Sequence, residues 1–531
     1  LIGKVFTQLD GPRTDVGDTT NIVVNRWGAP DSVTNALGQK TRVSRANATF
    51  PALATKVIAP NGFETRAFFN ARGLADSTVA VNPYDTGNAT TKYIWNPVWN
   101  HADSVIRPTG ERTRMFYRSV SPVVDSMRIG TLASRRVKFT YTADNQVRGV
   151  TEPGSVPDSV TYDALGNAAR TWTPIGRAAT SPYSTQFLKD SIGRDTLVIR
   201  PISGDTTDAT HFRYDIADRL IGTVSYGPPR PYTLPLNPSF SPDTAVVVAL
   251  TRTDSSAYDA EGNLAYKSSR SSSGEVQVNE QPTYDAAGRL VKRLIGSGPD
   301  SMVYDPAGNL VSARYRSGQW VTQSYDALNR VSTRVVPETN YTKLGCTGFA
   351  TGPISGQSSC LMVFPYYPNS GTGLLIPADT SRFAYDVLGN TTQANNRYAR
   401  LRRTYFPGGA LKTDTMALGS YAAPLVDELT GGQQYTYDLS GRRTQMQWMF
   451  GTTGYTYDNI GQLTNVTAPG GTQFRFVYTL RGQIDSLILG TGVREKRAYD
   501  NDGRLVFKSR MSDSVGVLVS DSLSYDKMDR I

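Results

Sequence analysis

Aspartate is the reactive side chain this sequence repeats most regularly. Asp163, Asp259, Asp285, Asp305, Asp386, Asp438, Asp458 and Asp500 each follow a tyrosine. Each also stands three places before a glycine: Gly166, Gly262, Gly288, Gly308, Gly389, Gly441, Gly461 and Gly503. Paired carboxylates serve general acid–base chemistry and glycoside hydrolysis, so that is the first chemistry to test. An enzyme needs one site, whereas here the same carboxylate recurs with the same glycine in unit after unit. The recurrence points to turn capping, because an Asp carboxylate accepts backbone N–H bonds at the start of a turn. A glycan-cleaving enzyme would need two close carboxylates in a cleft outside these turn positions. Histidine offers little more. His101 and His211 are the only two, and His101 lies two residues from Asp103. That is almost no material for a triad or a metal site, so no catalytic residue, metal or cofactor is assigned and the chain reads as non-enzymatic.

The remaining candidates are sulfur and cations. Cys346 and Cys360 are the only cysteines. Bonded to each other, they would close a loop worth about 3 kcal/mol by chain entropy; the alternative is two unrelated thiols. Their confinement to one irregular stretch favours the disulfide, and with it a secreted or cell-surface protein. The net charge is +10, spread along the chain, and its densest cluster is Arg397, Arg400, Arg402 and Arg403, interleaved with Tyr398 and Tyr405. Two readings stand open: a site for polyanions such as cell-surface glycans, or a solvated strand face. No nucleic-acid partner is expected.

These residues must be positioned by whatever the repeat builds. The phrase is Tyr-Asp-x-x-Gly-x-Leu, as in YDALGNA at Tyr162, YDAEGNL at Tyr258, YDAAGRL at Tyr284 and YDNDGRL at Tyr499. Worn copies such as YTADNQV at Tyr141, KDSIGRD at Lys189 and YDKMDRI at Tyr525 bring the total to fifteen from Tyr141 onward. The fifth position is Gly in eleven copies and Asn145, Asp218, Asn329 or Asp529 in the rest. Those are the residues most tolerant of positive φ, so the position reads as a left-handed turn residue. Each copy then reads as a hairpin: a strand ending in Tyr, a tight turn, and a strand starting near Leu or Val. About twenty residues hold two strands and two turns. With 48 Gly, 30 Pro and no long window of helical periodicity, the chain is expected to be all-β.

The Tyr-Asp repeat is similar to the YD repeats of the RHS family. That family includes shells of bacterial polymorphic toxins, B and C components of insecticidal toxin complexes, and the teneurins. The match is clear from Tyr141 to Ile531 and weaker upstream, through FNARGLA at Phe69, TNALGQK at Thr34 and WNPVWNH at Trp95. The resemblance implies a β-sheet ribbon wound into a spiralling shell or barrel. Two divisions are expected: residues 1–140 as degenerate repeats, and 141–531 as the YD-repeat shell, with insertions at 226–244, 332–380 and 412–434. An insertion in such an array is either loop decoration or a binding loop or plug. Many toxins of the family cut themselves near a DPxG-type motif after the last repeats. Here Asp305-Pro306-Ala307-Gly308 is an internal repeat, so no protease role is carried over.

Two functions follow from the resemblance. One is a shell segment of a secreted protein, enclosing a toxin or other cargo C-terminal to it. The other is an extracellular structural or adhesive protein, its array meeting further repeats or neighbouring copies and its insertions binding glycans. Leu1–Val5 shows no signal peptide, so the chain reads as processed or partial. No apolar run is long enough to span a membrane as a helix.

Overall fold

The computed structural model describes residues 5–118, 121–179, 183–201, 207–232, 246–271, 276–295, 298–315, 318–341, 374–376, 378–418, 431–490 and 492–525. Among them the chain is β throughout, save one short helix, Pro174–Ala178, capped by Thr173. Every strand pairs antiparallel, almost always with the next in sequence. Thirteen strands from Val5–Leu9 to Val147–Thr151 form one sheet, and twenty-seven from Ser159–Tyr162 to Gly516–Ser522 form another. A two-stranded pair, Thr339–Tyr341 with Leu374–Ile376, stands apart. The all-β repeat array expected from the sequence is what the chain forms.

The two large sheets meet at one modified bond pair. Asp158 N donates to Val150 O (3.1 Å), but Val150 N donates to the Asp158 carboxylate (2.7 Å) where a ladder would use a carbonyl. Gly149 makes the approach possible, since a Cβ there would lie 2.7 Å from Asp158 O.

The sheet is one layer thick. Among the described apolar residues other than Gly and Pro, only Ala89, Val198, Ala313, Val321, Phe406, Ala417 and Tyr435 are buried. Burial alternates along the strands instead, as in Gln473–Tyr478, where exposed and half-buried residues take turns. Strand periodicity therefore gives the sheet two faces, one carrying the motif tyrosines and one opposite.

It also has two rims. From Tyr141 onward the motif turns all lie on one rim, and the spacer connections lie on the other. The three longest insertions are spacer connections. Strands run into their spans: Leu220–Tyr232 into 226–244, Val331–Val336 and Asp379–Tyr385 into the two ends of 332–380, and Leu411–Leu418 and Gly431–Tyr437 into 412–434. Across the longest, Val331–Val336 pairs directly with Asp379–Tyr385. Cys346 and Cys360 lie outside the described residues.

Candidate functional site

Each motif is a type I turn closed by a left-handed residue, with a bulge where the strand ends in Tyr. At Asp285, the backbone N–H donates to Arg289 O (3.0 Å) and Gly288 N donates to Asp285 O (2.9 Å). The carboxylate Oδ1 accepts from Ala287 N (3.0 Å) and Arg289 N (2.9 Å), and Oδ2 accepts from Arg289 Nε (2.7 Å). Asp163, Asp259, Asp305, Asp386, Asp438, Asp458 and Asp500 likewise accept the backbone N–H four residues on. The fifth position has positive φ in every described copy: 74–92° at its glycines, and 61°, 63° and 58° at Asn145, Asp218 and Asn329. These bonds favour the ionised carboxylate. The Arg289 side chain and backbone N–H groups hold Asp285 below the ordinary Asp range, and the Asn167 backbone N–H does the same for Asp163.

The sixth position joins one motif to the next. The Arg289 guanidinium lies 5.0 Å from the centre of the Tyr304 ring, and its Nη1 donates to Asp305 O (3.0 Å). Arg219, Arg330, Arg442 and Arg504 cover Tyr258, Tyr385, Tyr457 and Tyr525 in the same way, at 4.5–4.9 Å. Where the residue is Asn309, its amide donates to Asp305 (2.8 Å) and to Asn329 of the next motif (2.8 Å). Where it is Gln483, it donates to Gly503 O (2.6 Å).

A tyrosine ladder runs alongside. Tyr304 Oη donates to the carbonyl of Leu290, the seventh residue of the preceding motif, at 2.9 Å. Tyr325 reaches Leu310, Tyr385 reaches Val331 and Tyr457 reaches Arg443, all at 2.7–2.8 Å. Burial, with the carboxylate of Asp438 close by, pushes the Tyr457 phenol above its usual range.

The sequence reading missed both devices. Sequence did hold a signal for the first, because the sixth position is Asn, Arg or Gln in fourteen of fifteen copies, Ala410 excepted.

The second structural level is a seam. Spacer turns early in the chain touch motif turns far along it. Arg13 Nη1 donates to Asp326 O (2.7 Å, 313 residues apart), and Asn61 Nδ2 donates to Pro407 O (2.9 Å, 346 apart). Arg135 reaches Gln462 (3.0 Å), Arg481 Nε reaches Glu152 (2.8 Å), and Ile175 N reaches Asp502 (2.8 Å), at separations of 327, 329 and 327. Tyr84 packs on Tyr437 and Phe406, with ring centres 5.6 and 6.1 Å apart. Gly441 is needed twice over, for its φ of +81° and because a Cβ would meet Tyr84 Oη at 2.6 Å. At the centre, Arg442 Nη1 pairs in charge with Glu111, approaching off the N–H direction, while Arg442 Nε holds Asp438 at 2.7 Å. Partners advance together along the two segments, so the ribbon returns beside itself after about 330 residues, in stacked courses.

The other candidates are dispersed. Alternation splits the four arginines: Arg403 faces with the tyrosines and pairs with Asp414 (3.4 Å), whereas Arg400 and Arg402 lie on the opposite face. Arg397 lies in the preceding turn, so they do not form one site. His101 stacks on Tyr117 (5.9 Å), while Asp103 accepts from Asn96 (3.2 Å). Among the described residues no group of three potential ligands could hold a metal, and no helix is long and apolar enough to cross a membrane.

Comparison with known proteins agrees with the repeat. Residues 304–340 match the RHS repeat family, and residues 431–507 match the teneurin YD-shell family. No curated protein sequence matches the chain significantly. Among solved structures, TcdB2–TccC3 is similar over 97% of this chain at 14% identity, with a TM-score of 0.61. TcdB2–TccC3 without its hypervariable C-terminal region matches over 97% at 13% identity, with a TM-score of 0.60. A chain of the Photorhabdus luminescens Tc holotoxin pore matches over 94% at 15% identity, with a TM-score of 0.59. The chain spans 28%, 30% and 26% of the lengths of these three, which share its fold.

Proposed function

We propose that this RHS/YD-repeat chain is a wall segment of a shell that encloses a polypeptide cargo, in a protein exported from its cell. The observation that carries the reading is the seam. A ribbon one layer thick that comes back to touch itself after 313 residues passes around a space. Twenty-five strands lie between the Arg13 loop and the Asp326 turn. At about 4.8 Å per strand they make a circuit of about 120 Å, hence a ring roughly 40 Å across. That width leaves room for an unfolded or small folded chain. The fold shared with TcdB2–TccC3, a protein with a hypervariable C-terminal region, supports the same reading. The repeats themselves supply wall: their carboxylates are committed to turns and their tyrosines to the ladder.

The test is the intact denatured mass of the protein from its native source, with peptide mapping of its C-terminus. A mass well above 57.9 kDa, or a separate C-terminal peptide that copurifies, supports enclosure. A mass near that of this chain, with no companion peptide, replaces the cargo reading with a structural or adhesive one.

A further inference from the structure

The spacer rim changes character along the chain. Early spacer turns, which meet motif turns at the seam, carry a polar side chain for the purpose: Arg13, Asn61, Asp85, Glu111, Arg135 and Glu152. The later spacers at 449–450, 468–472 and 490–492 carry no charged or amide side chain at all. From Thr444 to Phe474 the only charged residue is Asp458, and it sits in a turn on the motif rim. The tips there are apolar instead. Met449 is 69% exposed and Phe450 65%, and Val515, two spacers further than 468–472, is 74% exposed. Asp513 beside Val515 is the one acid in these four connections. Side chains so placed add little to the fold, because Trp448 and Gly451 already pair behind the tip.

The first tip is held in shape. The Trp448 ring meets Phe450 edge-on, with centres 4.8 Å apart. Gly451, at φ +122°, lets the tip close against Pro469 of the next spacer, whose Cβ a side chain there would meet at 3.0 Å. Successive tips stand two strands apart, so the four spacers make an apolar line about 30 Å long. Cations stand just behind it. Exposed Arg475 and Arg494 are both in register with Ile488, on one face of the sheet. At about 3.3 Å per residue they lie roughly 7–10 Å back from the tips.

We propose that this stretch of spacer rim docks on a lipid bilayer carrying anionic headgroups. Apolar tips that enter the boundary of headgroups and acyl chains reach about 5–10 Å deep, which brings arginines set that far back level with the phosphates. Trp and Phe favour the same boundary, and long arginine side chains reach along it to the headgroups. A further course of motif turns is disfavoured as the occupant. Motif turns present carbonyls, carboxylates and guanidinium groups, and the tips at 449–450 and 468–472 offer none of the partners that the early spacers supply.

The experiment is co-sedimentation of the whole chain with vesicles of equal parts phosphatidylcholine and phosphatidylserine at physiological salt. Met449→Ser/Phe450→Ser should weaken binding about tenfold or more, because two large apolar side chains no longer leave water, while circular dichroism stays unchanged. Should that variant misfold, Phe450→Ser alone should still weaken binding measurably. Leu165→Ser/Ile216→Ser removes equally exposed apolar residues from the motif rim and should bind as the parent does. Arg475→Gln/Arg494→Gln should weaken binding to these vesicles about fivefold or more and leave binding to pure phosphatidylcholine unchanged. Parent-like binding by both tip variants would overturn the assignment, as would loss of binding in the Leu165/Ile216 variant instead. A parent that ignores vesicles but self-associates in solution, and loses that association in the tip variants, would overturn it in favour of a second copy.

Discussion

Replacing Arg442 by Met tests the stacked courses most directly, because Arg289 supplies a matched control. Both arginines clamp the Asp of their own turn, Asp438 at 2.7 Å and Asp285 at 2.7 Å, and both cover the next tyrosine ring at 4.8 and 5.0 Å. Those shared contacts are half-exposed. An exposed ion pair contributes about 0.5–1 kcal/mol and a cation–π contact about as much, so Arg289→Met should cost about 1–2 kcal/mol locally. Arg442 alone also pairs with Glu111, which is 7% exposed. Stripping the cation from a buried pair costs about 3–5 kcal/mol. Here the figure falls to about 2, because Ser440 and Thr109 still donate to the Glu111 carboxylate. Arg442→Met should therefore cost about 3–4 kcal/mol, roughly twice its control. Adding Glu111→Gln should recover part of that. Hydrogen exchange gives the clean reading, since Gly110 N is bonded only to its own turn at Arg107 O (2.9 Å). Exchange over residues 107–113 should speed up in Arg442→Met and stay unchanged in Arg289→Met. Equal cost in the two variants, with residues 107–113 unaffected in both, would refute the contact between courses.

Other outcomes follow from the turn and the ladder. Gly288→Val places a β-branched residue at φ +74° and should cost at least about 1–2 kcal/mol, whereas Asn329→Gly should change stability by only a few tenths; denaturant unfolding compares them. Tyr457→Phe deletes the donor to Arg443 O (2.7 Å) and should cost about 1 kcal/mol, with faster exchange near residues 443 and 457 in the same sample. Acid should loosen the whole array. Asp163, Asp190, Asp215, Asp259, Asp285 and Asp326 are all held below the usual Asp value of 3.8. A depressed carboxylate contributes fully above the unfolded value, and its share is lost as pH falls through the lower folded value. The thermal midpoint should thus hold from neutral pH down to about 4 and then drop steeply. A midpoint that stays flat from pH 5 to pH 2 would remove the turns from the account.

What the sequence disclosed depended on how local the physics was. The left-handed residue shows as Gly288 or Asn329 because sterics at one position exclude nearly everything else. The strands show because Tyr, Val and Thr alternate between faces. The sixth position was readable in principle, since Arg289 and Asn309 perform one task with two side chains, but its meaning needed the neighbouring motif in place. The seam left no such mark. Glu111 looks like any turn acid, and nothing near it in sequence announces a partner 331 residues on. The arginine cluster shows the converse: Arg402 and Arg403 are adjacent in sequence and on opposite sides of the sheet. Arg114, Arg128 and Arg136 stand directly opposite one another on three strands, and only register brings them together.

Stacked courses turn the repeat number into a gauge. Each motif turn along the seam meets a particular spacer turn below it, so removing one hairpin from the upper course would slide every later turn one place along. Without the hairpin of Tyr437, for instance, Gln462 would come to the place of Arg442 and offer Glu111 an amide in place of a cation. Lengthening a spacer loop has no such effect. The strand after the longest insertion pairs with the strand before it as though nothing lay between. Variation in length is thereby channelled into the rim loops, while the count of hairpins per turn of the coil is held fixed by the whole seam at once.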